Sequence, residues 1–261
     1  MFVTALQFVI LFIVIYMMVP FVITRICGLV VVRRGKATNQ VAITFDDGPN
    51  PTYTPILLDM LRTHGVKATF FVLGSEAEKY PDIIRRMHRE GHQIGIHNYT
   101  HTPNWAMTPG EVLREQVEMS ADIVERITGE RPTCYRPPWG ILNLGDLFNF
   151  RKRSGYRVVL WSVMVGDWKR STTAERLRSK LMRRITPGAI VVLHDSGETF
   201  GADADAPLQM IAGLDAVLKE VLQQGYACVR VDEMVDPYWR TRYQVDAGAT
   251  IMKKSYKSTI H

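Results

Sequence analysis

Short apolar runs alternate with helical patterns through most of this chain, and that alternation limits the fold more than any other feature. Runs at 41–45, 68–73, 93–97, 133–136, 157–161, 189–193 and 227–231 are rich in Val, Ile, Phe and Leu. Several are apolar without interruption, as strands buried on both faces are. Helical patterns fill the gaps at 55–64, 81–90, 109–128, 144–152, 174–185 and 207–224. Gly65, Gly91, Gly129, the pair Pro187-Gly188 and Gly225 end five of them. Thr108-Pro109-Gly110-Glu111 reads as a capping box with proline at the first helical position, and Thr172 with Glu175 reads as a second. Strands alternating with helices predict an α/β domain on a parallel sheet. Alternation alone leaves an open sheet and a closed barrel both possible.

Charge and cysteine content narrow the class. The 261 residues carry a formal net charge of +6, which suggests a nucleic-acid binder. The distribution argues otherwise. Arg25, Arg33, Arg34 and Lys36 give residues 1–36 a charge of +4 with no acid, residues 236–261 carry +3, and the stretch between them sums to −1. No nucleic-acid partner is expected. Three widely spaced cysteines, Cys27, Cys134 and Cys228, make neither a disulfide framework nor a Cys-based zinc site.

The first 24 residues hold no charged side chain, and 2–23 form an almost unbroken apolar stretch of 22 residues. About 20 apolar residues suffice to cross a bilayer as a helix. A basic start and a small-x-small cleavage site, the marks of a signal peptide, are missing. The reading is a single-pass membrane anchor with its basic flank at 1–36, touching lipid through residues 2–23. A catalytic-size domain follows at 37–235, then a basic tail at 236–261. Positive charge on the C-terminal flank favours the cytoplasmic side for the domain.

Four polar clusters sit where predicted strands end, the place where parallel α/β folds collect their active sites. Thr44-Phe45-Asp46-Asp47-Gly48-Pro49 sets two carboxylates before a turn, or is only a polar turn. His97-Asn98-Tyr99-Thr100-His101 can present two imidazoles to one metal, or is two unrelated histidines. Arg136-Pro137-Pro138-Trp139-Gly140 offers a fixed cation and a rigid backbone, or a loop with a packing tryptophan. Asp167-Trp168 with Leu193-His194-Asp195 offers a histidine proton donor with a carboxylate partner, or a strand-end histidine capped by Asp195.

Taken in order, these blocks resemble the polysaccharide deacetylases of the NodB-homology type, carbohydrate esterase family 4. The resemblance covers about residues 40–232. It implies a distorted (β/α)7 barrel, here preceded by one transmembrane helix, and hydrolysis of the N-acetyl amide of an amino sugar in a cell-envelope polysaccharide such as peptidoglycan or a chitin-like glycan. It implies a divalent metal, usually zinc, on Asp47, His97 and His101. Asp46 would be the general base, oriented by Arg136. His194 would protonate the leaving amine with Asp167 as its partner. The Trp139 N–H would serve the oxyanion, and Leu193 and Trp168 would shape the acetyl pocket. Most members act outside the cytoplasm, against the flanking charges.

Three positions depart from the family pattern: Asn98 where Ser or Thr is usual, Met164 where an acid often stands, and Trp139. Two other readings compete: a deacylase or deformylase of a lipid-linked sugar, and an inactive sugar-binding protein. The 196–207 stretch, with Glu198, Asp203 and Asp205 beside His194, reads as a solvated loop or a substrate rim. Neither the acyl group and sugar nor the oligomeric state is encoded legibly.

Overall fold

A computed structural model describes residues 2–152 and 154–235. Its core is one curled sheet of nine strands, every pairing between them parallel. The strands are β1 (Val31–Val32), β2 (Gln40–Asp46), β3 (Thr69–Val72), β4 (Gln93–Ile96), β5 (Cys134–Tyr135), β6 (Arg157–Val159), β7 (Val163–Met164), β8 (Ile190–His194) and β9 (Ala227–Cys228). They run in the order β1-β6-β5-β4-β3-β2-β8-β7, with β9 added beside the start of β2. Each of the seven expected runs contains a strand. The two additional strands are only two residues long, too short to show a period.

The expected (β/α)7 barrel needs correction. The sheet order begins at β1 and ends at β7 with no pairing between them, so the architecture is a curled parallel half-barrel. Strand β2 lies near its middle. It is buried from Val41 onward because β3 and β8 flank it and helices cover its faces. Ile43, Phe45, Phe70, Val191 and Leu193 form the interior beside Leu57, Leu61, Leu214 and Leu218 from the helices.

The expected transmembrane helix, and with it the single-pass membrane location, are also corrected. No helix among the described residues is long and apolar enough to cross a membrane. The apolar stretch changes hydrogen-bond register repeatedly: α over Phe2–Ile13, π over Val14–Met18, α over Val19–Phe21, π over Val22–Ile26. Twelve α-helical residues rise about 18 Å, short of the roughly 30 Å of hydrocarbon in a bilayer. Near its end the stretch meets the domain. Pro20 and Thr24 are buried, Ile23 packs on the core, and the Tyr16 hydroxyl donates to the Met107 carbonyl at 3.5 Å. The basic tail at 236–261 lies outside the described residues.

Helix ends follow local chemistry. The Thr108 capping box is present in both directions: Glu111 N–H donates to Thr108 Oγ1 at 3.3 Å, and Thr108 N–H donates to Glu111 Oε2 at 2.7 Å. The helical path from Pro109 to Thr128 is α at both ends and π over Val112–Glu118. The second capping assignment shifts by one residue. Thr173 has the extended backbone of a cap and accepts from Arg176 N–H, whereas Thr172 donates its hydroxyl to the Gly166 carbonyl at 2.7 Å.

The helices Ala174–Arg184 and Ala206–Gln223 approach closely at Gly213. A Cβ there would sit 2.6 Å from the Ala174 carbonyl oxygen. Gly213→Ala is therefore expected to destabilise the domain by roughly 1–2 kcal/mol, overpacking outweighing the gain in helix propensity. A urea titration reads the change directly.

Candidate active site

Register brings the four clusters together. Asp46 pairs across β2 and β8 with His194, and Ile96 pairs across β4 and β5 with Tyr135. The strand ends therefore deliver Asp46, Asp47, His97, Arg136 and His194 to one edge of the sheet.

Asp47, His97 and His101 form a group able to hold a metal ion, with candidate ligand atoms all within 4.8 Å of one another. His97 Nε2 lies 3.4 Å and His101 Nε2 3.5 Å from Asp47 Oδ1. That oxygen is buried and has no hydrogen-bond partner, the condition of an atom reserved for a cation. The surroundings fit as well. His97 Nδ1 lies 2.7 Å from the Arg136 carbonyl, so it carries the proton and leaves Nε2 as a lone pair. Burial, with the His97 ring beside it, pushes the His101 pKa down to about 4, so the ring is neutral near pH 7. Asp47 is also buried, which opposes its ionisation. The close approach of the His97 ring, with His194 and His101 nearby, prevails and holds its carboxyl well below the usual range.

Asp46 and Arg136 form the second pair. Arg136 is fully buried; its Nη1 donates to Asp46 Oδ1 at 2.6 Å and to Thr44 Oγ1 at 2.8 Å. Nε donates to the Val159 carbonyl and Nη2 to that of Leu160, while the guanidinium lies over the Phe71 ring at 4.0 Å. With every face held, Arg136 fixes the orientation of Asp46.

His194 and Asp167 form the third. Asp167 Oδ2 accepts the His194 backbone N–H at 2.7 Å and lies 3.1 Å from Nδ1. Burial works against a charged imidazole here, but Asp167, with Asp47 and Asp46, overcomes it and raises the His194 pKa to about 10. Asp195, the alternative cap, turns away: its Oδ2 accepts from Thr54 Oγ1 at 2.5 Å.

Backbone strain gathers here. Among the described residues, four other than glycine have positive φ, and three belong to these clusters: Asp47 at 76°, Asn98 at 69° and Trp139 at 55°. Such conformations cost about 1–3 kcal/mol each and persist where surrounding structure enforces them. For Asn98 the enforcement is visible. Its amide donates to the Thr102 carbonyl and Asn104 Oδ1, and its Oδ1 accepts from the Tyr135 hydroxyl at 2.8 Å. Asparagine tolerates the left-handed region better than Ser or Thr, which gives this departure from the family pattern a physical reason.

The family model for polysaccharide deacetylases matches residues 33–159. A peptidoglycan-N-acetylglucosamine deacetylase of Bacillus cereus is 35% identical over 196 residues, covering 75% of this chain and 68% of that protein. The chain belongs to the polysaccharide deacetylase family. A peptidoglycan-N-acetylglucosamine deacetylase of Listeria monocytogenes is 36% identical over 203 residues, and the match spans 78% of this chain but only 40% of that longer protein. The crystal structure of the Bc1960 peptidoglycan N-acetylglucosamine deacetylase, bound to an N-oxidanyl-benzamide, superposes with a TM-score of 0.72 at 31% identity. It covers 81% of this chain and 95% of the other.

In this deacetylase the clusters open onto a cavity of about 640 Å³. Trp168 and Trp139 line it, and the Trp139 ring lies against His101, tilted by 58° with 4.3 Å between ring centroids. Leu193 does not: it is fully buried in the core, and its neighbour Val192 lines the cavity. Met164 lines it too.

Sequence reasoning missed several contributors. Thr199, from the 196–207 stretch, donates its hydroxyl to Asp47 Oδ2 at 2.7 Å, and Phe200 beside it is 92% exposed at the rim. The acids that drew attention to this stretch are engaged otherwise. Glu198 accepts from Asn50, and Asp203 and Asp205 accept from Arg170. Phe21, Arg25 and Trp161 also line the cavity and belong to none of the four clusters. Hydroxyl and aromatic residues carry no spacing signal of their own, so only the fold reveals them.

Proposed function

We propose that this deacetylase removes N-acetyl groups from the amino sugars of a cell-envelope glycan of the peptidoglycan or chitin type. Residues 37–235 carry the chemistry, joined by the strand and cavity residues that precede them. The observation that supports this most is the convergence of three groups on one cavity: a metal triad, a buried carboxylate clamped by arginine, and a histidine held cationic by a second carboxylate.

Each group has a role in amide hydrolysis. Asp47, His97 and His101 would hold a divalent cation, and their two-nitrogen, one-oxygen donor set suits zinc. A bound cation supplies a Lewis acid that makes water nucleophilic near pH 7 and polarises a carbonyl. Asp46, held by Arg136, takes the proton from the attacking water. The Trp139 N–H donates to the carbonyl oxygen as it becomes anionic, a contribution of about 2.7–4 kcal/mol where such donors have been removed. His194 delivers its proton to the departing amine, and Asp167 keeps that proton in place. Trp168, edge-on to His194 at 5.2 Å between centroids, walls the acetyl side.

Acetate release from peptidoglycan and from acetylated chitooligosaccharide tests the reading, with loss on chelation and recovery on adding zinc. A folded, zinc-loaded protein that releases no acetate from either glycan would sink it. A second reading takes a lipid-linked sugar as substrate, and the apolar side chains of Phe21, Ile141 and Met164 in the cavity favour it. Turnover of soluble glycan with none of a polyprenyl-linked sugar counts against that alternative. The filled catalytic positions count against an inactive sugar-binding protein.

The proton donor predicts a pH profile. A donor whose pKa is raised by the Asp167 carboxylate stays loaded through neutral pH, so the alkaline fall in activity lies above the ordinary imidazole range. Asp167→Asn removes the charge that holds the proton. The alkaline limb of kcat/KM should then slide toward the ordinary imidazole value near 6.5. A limb that does not move would remove Asp167 from the mechanism.

A further inference from the structure

Arg25 reaches the cavity from the N-terminal segment, and nothing in the proposed chemistry uses it. Its guanidinium lies 4.0 Å over the Trp161 ring, and Nη2 donates to the Trp139 carbonyl at 3.4 Å, across 114 positions of sequence. Gly140, at φ +67°, leaves the space this requires, since a Cβ there would collide with Nη2 and with Trp161. The contacts are therefore built from both sides.

The electrostatics around Arg25 are unbalanced. Partial burial and two neighbouring cations, Arg33 and Arg136, lower its pKa to about 10, which leaves it charged at neutral pH. Arg136 is already engaged with Asp46. A partly desolvated cation beside other cations is unfavourable until an anion arrives. Stacking on an indole leaves the guanidinium edge as the donor surface, the geometry that grips a carboxylate or phosphate through two parallel hydrogen bonds. The cavity at about 640 Å³ is larger than an acetyl group needs and has room for a sugar with its substituent.

We propose that Arg25 is a specificity-determining residue that recognises an anionic substituent, carboxylate or phosphate, on the sugar bound in the cavity. This rests on the glycan-deacetylase reading above. The competing role for Arg25 is purely structural, docking the N-terminal segment onto Trp161.

The test uses the zinc-loaded full chain with four acetylated probes. These are an oligosaccharide bearing a lactyl carboxylate, the methyl ester of that carboxylate, acetylchitotetraose, and the same tetraose carrying a phosphate monoester. Binding is read by tryptophan fluorescence and turnover by acetate release, in wild type, Arg25→Lys and Arg25→Gln. Arg25→Gln should lower the acid-to-ester affinity ratio, or the phosphate-to-neutral ratio, about tenfold, with Arg25→Lys in between. Loss confined to the first ratio identifies carboxylate as the anion, and loss confined to the second identifies phosphate. Ratios unchanged in Arg25→Gln overturn the proposal, and a lowered melting temperature with unchanged ratios assigns the structural role instead. Absence of turnover on every probe defeats the deacetylase reading, and the binding ratios still decide Arg25 separately.

Discussion

Asp46→Asn is expected to lower acetate release by roughly 10²–10⁴-fold, the range in which general acid–base groups contribute. The amide has nearly the shape of the carboxylate and can still accept from Arg136 through its oxygen. It cannot take a proton from water. Asp46 is about 2% exposed and is fixed by a 2.6 Å hydrogen bond, so no bulk base readily replaces it. The triad of Asp47, His97 and His101 is untouched, and zinc content should stay near one per chain. Zinc retention with lost turnover locates the defect in proton transfer. Turnover within a few-fold of wild type would remove Asp46 from the role of base. Because the substitution also leaves the Arg136 charge unpaired, the comparison belongs well below the melting temperature of the variant.

Arg136→Met carries the largest expected effect on stability. Arg136 is wholly buried, and its removal strips a cationic partner from Asp46 and a donor from Thr44, Val159 and Leu160. Breaking a buried ion pair from one side costs about 3–5 kcal/mol, because the remaining charge is stranded. For a domain of this size that corresponds to roughly 6–20 °C in melting temperature. The double variant Asp46→Asn with Arg136→Met carries neither charge and should recover part of the loss, giving a coupling well outside simple additivity. A melting temperature within a couple of degrees of wild type in Arg136→Met would mean that solvent reaches this pair. Activity should be lost in both variants, since both lack an oriented base.

Much of this molecule could be read from local sequence. The runs that became β2, β3 and β8 are largely apolar on both faces, and that pattern has few other outcomes in a domain of this length. Helix boundaries were legible at Thr108, where a side chain and a backbone satisfy each other within four residues. The one-residue error at Thr172 arose because two adjacent threonines carry the same chemistry, and only the backbone angle distinguishes them. Strands of two residues, β1 and β7, have no period to detect. The stretch at 2–26 misled for another reason. Apolarity specifies that side chains avoid water, but it does not specify an unbroken α-helical register, and here the register breaks.

The site divides along the same line. Residue type and short spacing were enough to nominate Asp46 with Asp47, His97 with His101, Arg136, and His194, because each group is local and its chemistry depends on neighbours in the chain. Spacing alone did not name their partners: Arg136 for Asp46 and Asp167 for His194 came from the family resemblance, and Thr199 for Asp47 came from neither. Pairing Asp46 with Arg136 joins positions 90 apart, and hanging Thr199 on Asp47 joins positions 152 apart. Seating Arg25 over Trp161 and excluding Leu193 from the cavity likewise depend on strand order and on which face of β8 turns inward. The sequence by itself determined which functional groups this protein possesses and where its buried strands run. Only the tertiary structure decided which groups meet, because meeting is set by the parallel register of distant strands, and no local pattern of residues encodes that register.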